Sequence, residues 1–441
     1  MCKKALQLSQ MQDAFNPGPL KSNEDLNEFY LDTSFARTGD QYSDFVNNLL
    51  LQLEDSKEVY LHKLFIGHPG CGKTTELYKL LEKTKEENFF ACIGRCDLEL
   101  DSADVDYIDV LFLILDLLVR EAVENKIHIE EELIKDIYDY WQEEMEIVDS
   151  TTKQVDTTME SEVKGSVSFA QLLSVMAKIK GVIKNSSDSR IEIRRRIEPK
   201  SSELISKIQN VIKVISEQCP KQGMHGIPLI ILDGLDKIPL EQARKIFREN
   251  GSRFNSLDIH LIVTFPIALT YTSEYSDVLT WFSNPEKLPM IKLRKWEDGR
   301  YIDGYQAGMD AMTAIVEKRA DLDLFEEGVL AKLIQMTGGY IRDLFRCITR
   351  ATVRARLRKA EKISLEDAEI ALNNLESDIN ARYGDEMIPV MKKIFDGEKF
   401  VSSSDEMTKL LQVGAVLEYN GQRWCDLHPL VEQWLRNHNR I

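Results

Sequence analysis

Four short apolar runs punctuate the first two thirds of the chain: "KLFIG" ending at Gly67, "FFACIG" from Phe89, "LIIL" from Leu229 and "IHLIVTF" from Ile259. Each has the length of a strand and no polar alternation, the pattern of a strand buried on both faces of a parallel sheet. Between them the period changes. "TTELYKLLEKTKEE", "DYIDVLFLILDLLVREAV" and "PKSSELISKIQNVIKVISEQ" carry apolar residues at helical spacing. Strands alternating with helices predict an α/β fold, a parallel sheet covered by helices on both faces. From about Ala381 the pattern shortens to the helices "DEMIPVMKKIFDG" and "SDEMTKLLQVG". A hairpin "GAVLEYNGQRWCDLH" turning at Asn420-Gly421 follows, then a closing helix "PLVEQWLRNHNRI".

Composition narrows the class. With 441 residues, 43% apolar and 29% charged, the chain has room for several packed units of an ordinary globular protein. A formal charge of −17 argues against a surface that grips nucleic acid over its whole extent. The seven cysteines are odd in number and scattered from Cys2 to Cys425, which is no disulfide framework. Cys92 and Cys96 lack the further ligands of a metal site, so reduced thiols are expected. The start, "MCKKALQLSQ", has no apolar segment behind it, and the longest apolar run, "VLFLIL" before Asp116, is too short to span a bilayer. The expectation is a cytoplasmic protein without a membrane segment.

The chemistry sits after the first strand. Gly67, His68, Pro69, Gly70, Cys71, Gly72, Lys73 and Thr74 spell G-x-x-x-x-G-K-[ST], and Thr75 continues into a helix. Glycines let backbone N–H groups turn toward phosphate oxygens, and the helix directs its positive end at the same anion. Lys73 supplies a cation for the β- and γ-phosphates, and the Thr74 hydroxyl is placed for Mg²⁺. The partner motif is a buried strand ending in an acid, supplied by "IPLIILDGLDKIP". Asp233 would hold Mg²⁺ or orient Thr74. Gly234 follows where many related ATPases carry a water-polarising Glu, which leaves Asp236 as the nearby acid for that role and suggests slow turnover. A turn or helix cap is the competing reading of Asp236.

These motifs resemble the AAA+ and STAND superclass of P-loop ATPases, and most nearly its bacterial and archaeal STAND- and KAP-like members, over roughly residues 25–360. The resemblance implies ATP rather than GTP, Mg²⁺, and a sheet with the catalytic strand beside the phosphate-loop strand. It places Thr264 at the sensor 1 position near the γ-phosphate. Arg342, in "TGGYIRDLFRCITRA", falls at sensor 2 in a helical lid. The N-terminal linker, with Tyr30, Asp32, Thr33 and Arg37, falls beside the adenine. It further implies a division into a linker (1–45), an ATPase core (46–300) with a helical insertion at about 124–225, a lid (301–380) and a winged-helix-like domain (381–441).

The pattern departs from the family where an arginine finger would lie. No arginine occurs from Phe254 to Leu293, and Arg294 stands at the end of "KLPMIKLRKW", the expected last core strand. Arg253 and the group Arg190 and Arg194 to Arg196 are the substitutes, with a solvated helix face as the alternative for the group. The insertion reads as a helical partner-binding face, and "DSTTKQVDTTMESEVKGS" as a mobile stretch within it. Arg342, Arg346, Arg350, Arg354 and Arg358 drift around the lid helix, so only the first faces the nucleotide. Tyr419 and Trp424 are expected to brace a core.

The expected function is an ATP-binding, slowly hydrolysing switch that controls the assembly or activity of a partner protein. The resemblance makes bacterial anti-phage defence or signalling its setting. The partners expected are an effector chain and possible further copies of this chain; nucleic acid is not favoured. Two alternatives stand beside it: a DNA-binding initiator of the origin-recognition type, and a nucleotide-bound scaffold without turnover.

Overall fold

The computed structural model describes residues 3–152, 167–297, 300–398, 404–419 and 424–441. Most of the polar stretch in the insertion and the Asn420-Gly421 turn lie outside them. Five strands form the main sheet: β1 (His62–Gly67), β2 (Ala91–Arg95), β3 (Leu229–Asp233), β4 (His260–Pro266) and the two-residue β5 (Glu286–Lys287). All pair in parallel in the order β2-β3-β4-β1-β5. β1, β3 and β4 are buried along their whole length, as continuous apolar runs require.

Two details differ from the sequence reading. The strand beside β1 is β4, which carries Thr264, and the Asp233 strand lies one place further out. After β3 the chain crosses through short helices and returns to the adjacent sheet position, so β4 separates the two motif strands. The expected last core strand is also split. Leu288 N–H still donates to Ile66 O at 2.7 Å. Pro289 then offers no donor, and Arg294–Glu297 (β6) turns away to pair with Arg300–Asp303 (β7) as a separate antiparallel ribbon.

One face of the sheet is covered by the helices Tyr107–Glu124, Glu131–Thr152, Phe169–Asn185 and Ser201–Gln218, in one apolar core with Ile230, Leu232, Leu261 and Val263. The helices of the expected insertion therefore contribute apolar residues to the core. Fully buried Trp141 packs edge-on to Phe112 at 5.0 Å. The arginine group of the insertion is spent inside the chain. Arg190 and Arg194 pair with Asp104 at 3.0 Å, Arg196 with Glu144 at 2.6 Å, and exposed Arg195 with Glu192 at 2.9 Å. Arg253 bonds Ser201 and stacks 4.7 Å over the Tyr107 ring.

The segment ahead of β1, irregular by its sequence, contains helices at Asn23–Phe29 and Ser34–Thr38. The Ser22 hydroxyl caps the first by accepting from Asp25 N–H at 3.1 Å, with Glu24 and Asp25 in the first turn. The helices Gln306–Arg319, Val329–Met336, Ile341–Leu357 and Leu365–Asn380, in the stretch expected to form a lid, share a second core with Met11 and Phe15 near the N-terminus. Along Ile341–Leu357, Arg350 pairs with Asp378 at 2.8 Å and Arg354 with Glu366 at 2.7 Å. Arg358 pairs with Asp367 at 2.5 Å, so an acidic neighbouring helix takes up this charge.

The last piece holds the helices Ile388–Phe395 and Asp405–Val413, a hairpin of β8 (Val416–Tyr419) and β9 (Trp424–Leu427), and the helix Pro429–Asn437. Leu417, Tyr419 and Trp424 pack with Phe65, Leu77 and Ile262 on the second face of the main sheet. Among the described residues no helix is long and apolar enough to cross a membrane.

Candidate functional site

The phosphate loop runs from the end of β1 into the helix Lys73–Glu86. Gly70 and Gly72 have φ of +93° and +116°, which side chains rarely adopt, and a Cβ on Gly67 would fall 2.6 Å from Leu288 O. Lys73 Nζ donates to Gly67 O at 2.7 Å and His68 O at 2.9 Å, and lies 2.9 Å from Asp236 Oδ2. That last contact is one of charge, not a well-aligned hydrogen bond. Burial lowers the pKa of the Lys73 ammonium, but Asp236 and Asp233 outweigh it, and the net shift is upward.

Beside the lysine, Thr74 Oγ1 donates to Asp233 Oδ2 at 2.7 Å. Asp233 is fully buried, and its Oδ1 has no hydrogen-bond partner among the described residues. Burial and then the charge of Asp236 push this carboxyl above its ordinary range. A divalent cation would offset both effects, so the residues fit Mg²⁺, with Thr74 and Asp233 holding it. When bound, the ion would neutralise phosphate charge. Thr264 does not reach the cavity. Its Oγ1 accepts from Gly234 N–H at 2.9 Å and stays buried behind the turn after β3.

A cavity opens in front of these groups. Gly70, Gly72, Lys73, Thr74 and Thr75 form its floor, and Asp236 its flank. Gly67, His68, Pro69 and Cys71 belong to the loop without lining it. Leu20, Phe29, Leu31, Ile315, Ile341 and Phe345 supply an apolar wall drawn from the segment ahead of β1 and from the helices Gln306–Arg319 and Ile341–Leu357. Arg342 enters from the first turn of its helix and packs over the loop, where a Cβ on Gly70 would meet its Nε at 2.7 Å.

Arg37 also lines the cavity, but its guanidinium is committed to structure. Its Nε–H donates to Thr33 Oγ1 at 2.8 Å and its Nη2–H to Cys71 O at 2.7 Å, and Nη1 reaches Pro289 O. Tyr30 and Thr33 stand in the wall, while Asp32 turns back to accept from Ser34 N–H at 2.9 Å.

The sequence reading missed several groups here. Glu76, buried one turn into the phosphate-loop helix, accepts from Tyr30 O–H at 2.9 Å, and burial raises its pKa to about 7. Arg319 lines the cavity between the Phe29 and Phe345 rings, 5.2 and 4.7 Å from their centres. Arg95, the last residue of β2, lies 3.1 Å from Asp233 Oδ2 and is held by Asp97. No local pattern marks these residues, since partners far along the chain bring each of them to the cavity.

The loop is also tied to the far end of the chain. His68 is fully buried, and its Nε2 accepts from Glu418 N–H of β8 at 2.8 Å. Burial, then the charge of Lys73, lowers its pKa to about 3, so it stays neutral and able to accept. Tyr340, just before the Arg342 helix, donates from its hydroxyl to Pro69 O.

A phosphate loop between β1 and its helix, an acid ending β3, and a parallel sheet in which β4 lies between them define an α/β P-loop NTPase fold. No family model matches the sequence, and no curated protein matches it. Solved structures do resemble it in overall path. The ORC2 protein of Aeropyrum pernix is 11% identical with a TM-score of 0.41, over 97% of this chain and 98% of that one. Cdc6p of Pyrobaculum aerophilum is 12% identical at 0.37, over 92% and 99%. The RuvB branch migration motor of Thermotoga maritima is 12% identical at 0.37, over 92% and 98%.

Proposed function

We propose that the protein is an ATP-binding and slowly hydrolysing switch whose nucleotide state controls the assembly or activity of a partner protein. One observation carries the reading: a single cavity is walled at once by the phosphate loop, the N-terminal linker and the lid. A nucleotide filling it would bridge all three and favour their closed arrangement by its differential contacts. The bonds from His68 to Glu418 and from Tyr340 to Pro69 extend that coupling, because the loop that receives phosphate also holds the C-terminal hairpin and the lid.

The residues divide the work as follows. Backbone N–H groups of the loop and Lys73 bind the phosphates, and Arg342 answers to the γ-phosphate from the lid. Asp236 orients the attacking water. A Glu at position 234 is sterically barred: Gly234 has φ +97°, and its Cβ would fall 2.6 Å from Asp97 Oδ1. Asp236 already engages Lys73, so it must share itself between cation and water, which is consistent with slow turnover.

The test is ATP binding and steady-state hydrolysis by the wild type and Asp236→Asn, with proteolysis of the C-terminal piece followed with and without ATP. The reading expects ATP to protect the wild type and the variant to bind without turning over. ATP that binds without altering protection would remove the switch, and tight binding without wild-type turnover would favour the scaffold. A DNA-binding initiator is the second reading, since a core, lid and small C-terminal piece in this order serve it equally. Salt-dependent duplex binding lost in Arg346→Glu would favour it.

A further inference from the structure

We infer that Arg95 is a cis-acting arginine finger, so that the site supplies its own transition-state cation and needs none from a second subunit. The inference rests on the ATPase reading above and names a further catalytic residue for it. Arg95 ends β2, whose register with β3 sets it directly opposite Asp233. It is 9% exposed and lines the cavity. Its planar fork is already aimed. The Nε–H donates to Asp97 Oδ1 at 3.0 Å and lies 3.1 Å from Asp233 Oδ2, and the Nη2–H donates to Asp97 Oδ2 at 2.9 Å. Asp97 is itself fixed by Lys237 Nζ at 2.7 Å.

The remaining nitrogen decides the matter. Arg95 Nη1 is buried and makes no hydrogen bond of ordinary geometry among the described residues, although the Tyr78 hydroxyl lies close enough to the guanidinium to interact with it. Leaving a charged donor dry and unpaired is costly. A phosphate oxygen bound by Lys73 and Thr74 would be an acceptor of the right charge for it, and the guanidinium stands beside that position, since Thr74 Oγ1 and Arg95 Nε both reach Asp233 Oδ2. Of the candidate fingers of the sequence, Arg190, Arg194, Arg196 and Arg253 are occupied elsewhere in the chain, and Arg195 is exposed and paired with Glu192.

In the reaction the water oxygen bonds to the γ-phosphorus. The bond from that phosphorus to the β–γ bridging oxygen breaks, its electron pair stays on ADP, and the water's protons leave with inorganic phosphate. Charge develops on the γ-phosphoryl oxygens and the bridging oxygen, where a preorganised guanidinium stabilises it. Asp97 acts through Arg95 and is a positioning residue.

Binding of ADP with aluminium fluoride and Mg²⁺, compared with ADP and Mg²⁺ alone, tests this without depending on turnover. The wild type at submicromolar concentration should hold ADP at least ten-fold more tightly when fluoride is present. Arg95→Ala and Arg95→Lys should bind ADP within about three-fold of the wild type and lose that gain. Lys keeps the charge beside Asp97 and Asp233 and so protects the fold, but lacks the fork. Single-turnover hydrolysis should fall by about 10³-fold or more, the scale of a lost arginine finger. The inference is overturned if both variants keep the fluoride gain, or if the wild-type gain is absent or appears only as protein concentration rises, the sign of another subunit's arginine. A wild type that binds no nucleotide would instead sink the ATPase reading itself.

Discussion

Replacing Lys73 by Ala removes more than a phosphate ligand. The ammonium and the Asp236 carboxylate lie 2.9 Å apart with side chains 4% and 1% exposed, so deleting one leaves the other as a buried, uncompensated charge. Breaking such a pair costs about 3–5 kcal/mol. Asp236 borders the cavity, where water can reach it, so the lower end of that range applies, about 3 kcal/mol. Asp236→Asn should cost less, because Lys73 keeps the carbonyls of Gly67 and His68. The double variant carries neither charge and should recover much of the loss, giving a coupling energy of about 2 kcal/mol. Urea unfolding of the four proteins, monitored on the core transition, measures this cycle. ATP affinity follows a different order, because both proteins lacking Lys73 should lose binding whatever their stability. A Lys73→Ala protein within about 0.5 kcal/mol of the wild type, or a double variant as unstable as the sum of the singles, would refute the buried-pair argument. Undiminished ATP binding by the double variant would remove the phosphate cradle.

Two further outcomes follow from the cavity wall. Burial holds the Glu76 carboxyl at about 7, against 4.5 for the free side chain, so the folded protein binds this proton more tightly than the unfolded one. Its contribution is full below pH 4.5 and is lost as the pH rises through 7, a penalty of about 3 kcal/mol at alkaline pH. Glu76→Gln should therefore melt higher than the wild type at pH 8 and level with it near pH 4; equal melting curves at both would show that the carboxyl is not held protonated. Arg342→Ala should lose lid closure more than ATP affinity, since Lys73 and the loop retain the phosphates; unchanged ATP protection of the lid from protease would contradict that role.

The local geometry that lies along one stretch of backbone was legible in the sequence. A loop whose glycines must turn, followed at once by Lys73, Thr74 and a helix, carries its own geometry, because every group is covalently placed within a few bonds of the next. Asp233 was legible because an apolar run ending in an acid already states where a buried strand stops. The parallel sheet was legible from the same runs and the helices between them.

Tertiary structure decided the rest, since it depended on which strand or helix became the neighbour. β4 took the place beside β1, and Thr264 spent its hydroxyl on Gly234. The insertion's apolar residues entered the core, and its arginines found acids distant in sequence. Glu76 met Tyr30, and His68 met the amide of Glu418. Arg95 met Asp233 only through the register of β2 against β3. A motif reports the order of groups along the chain, whereas burial, pairing and the aim of a side chain are set by packing between segments, which that order does not contain.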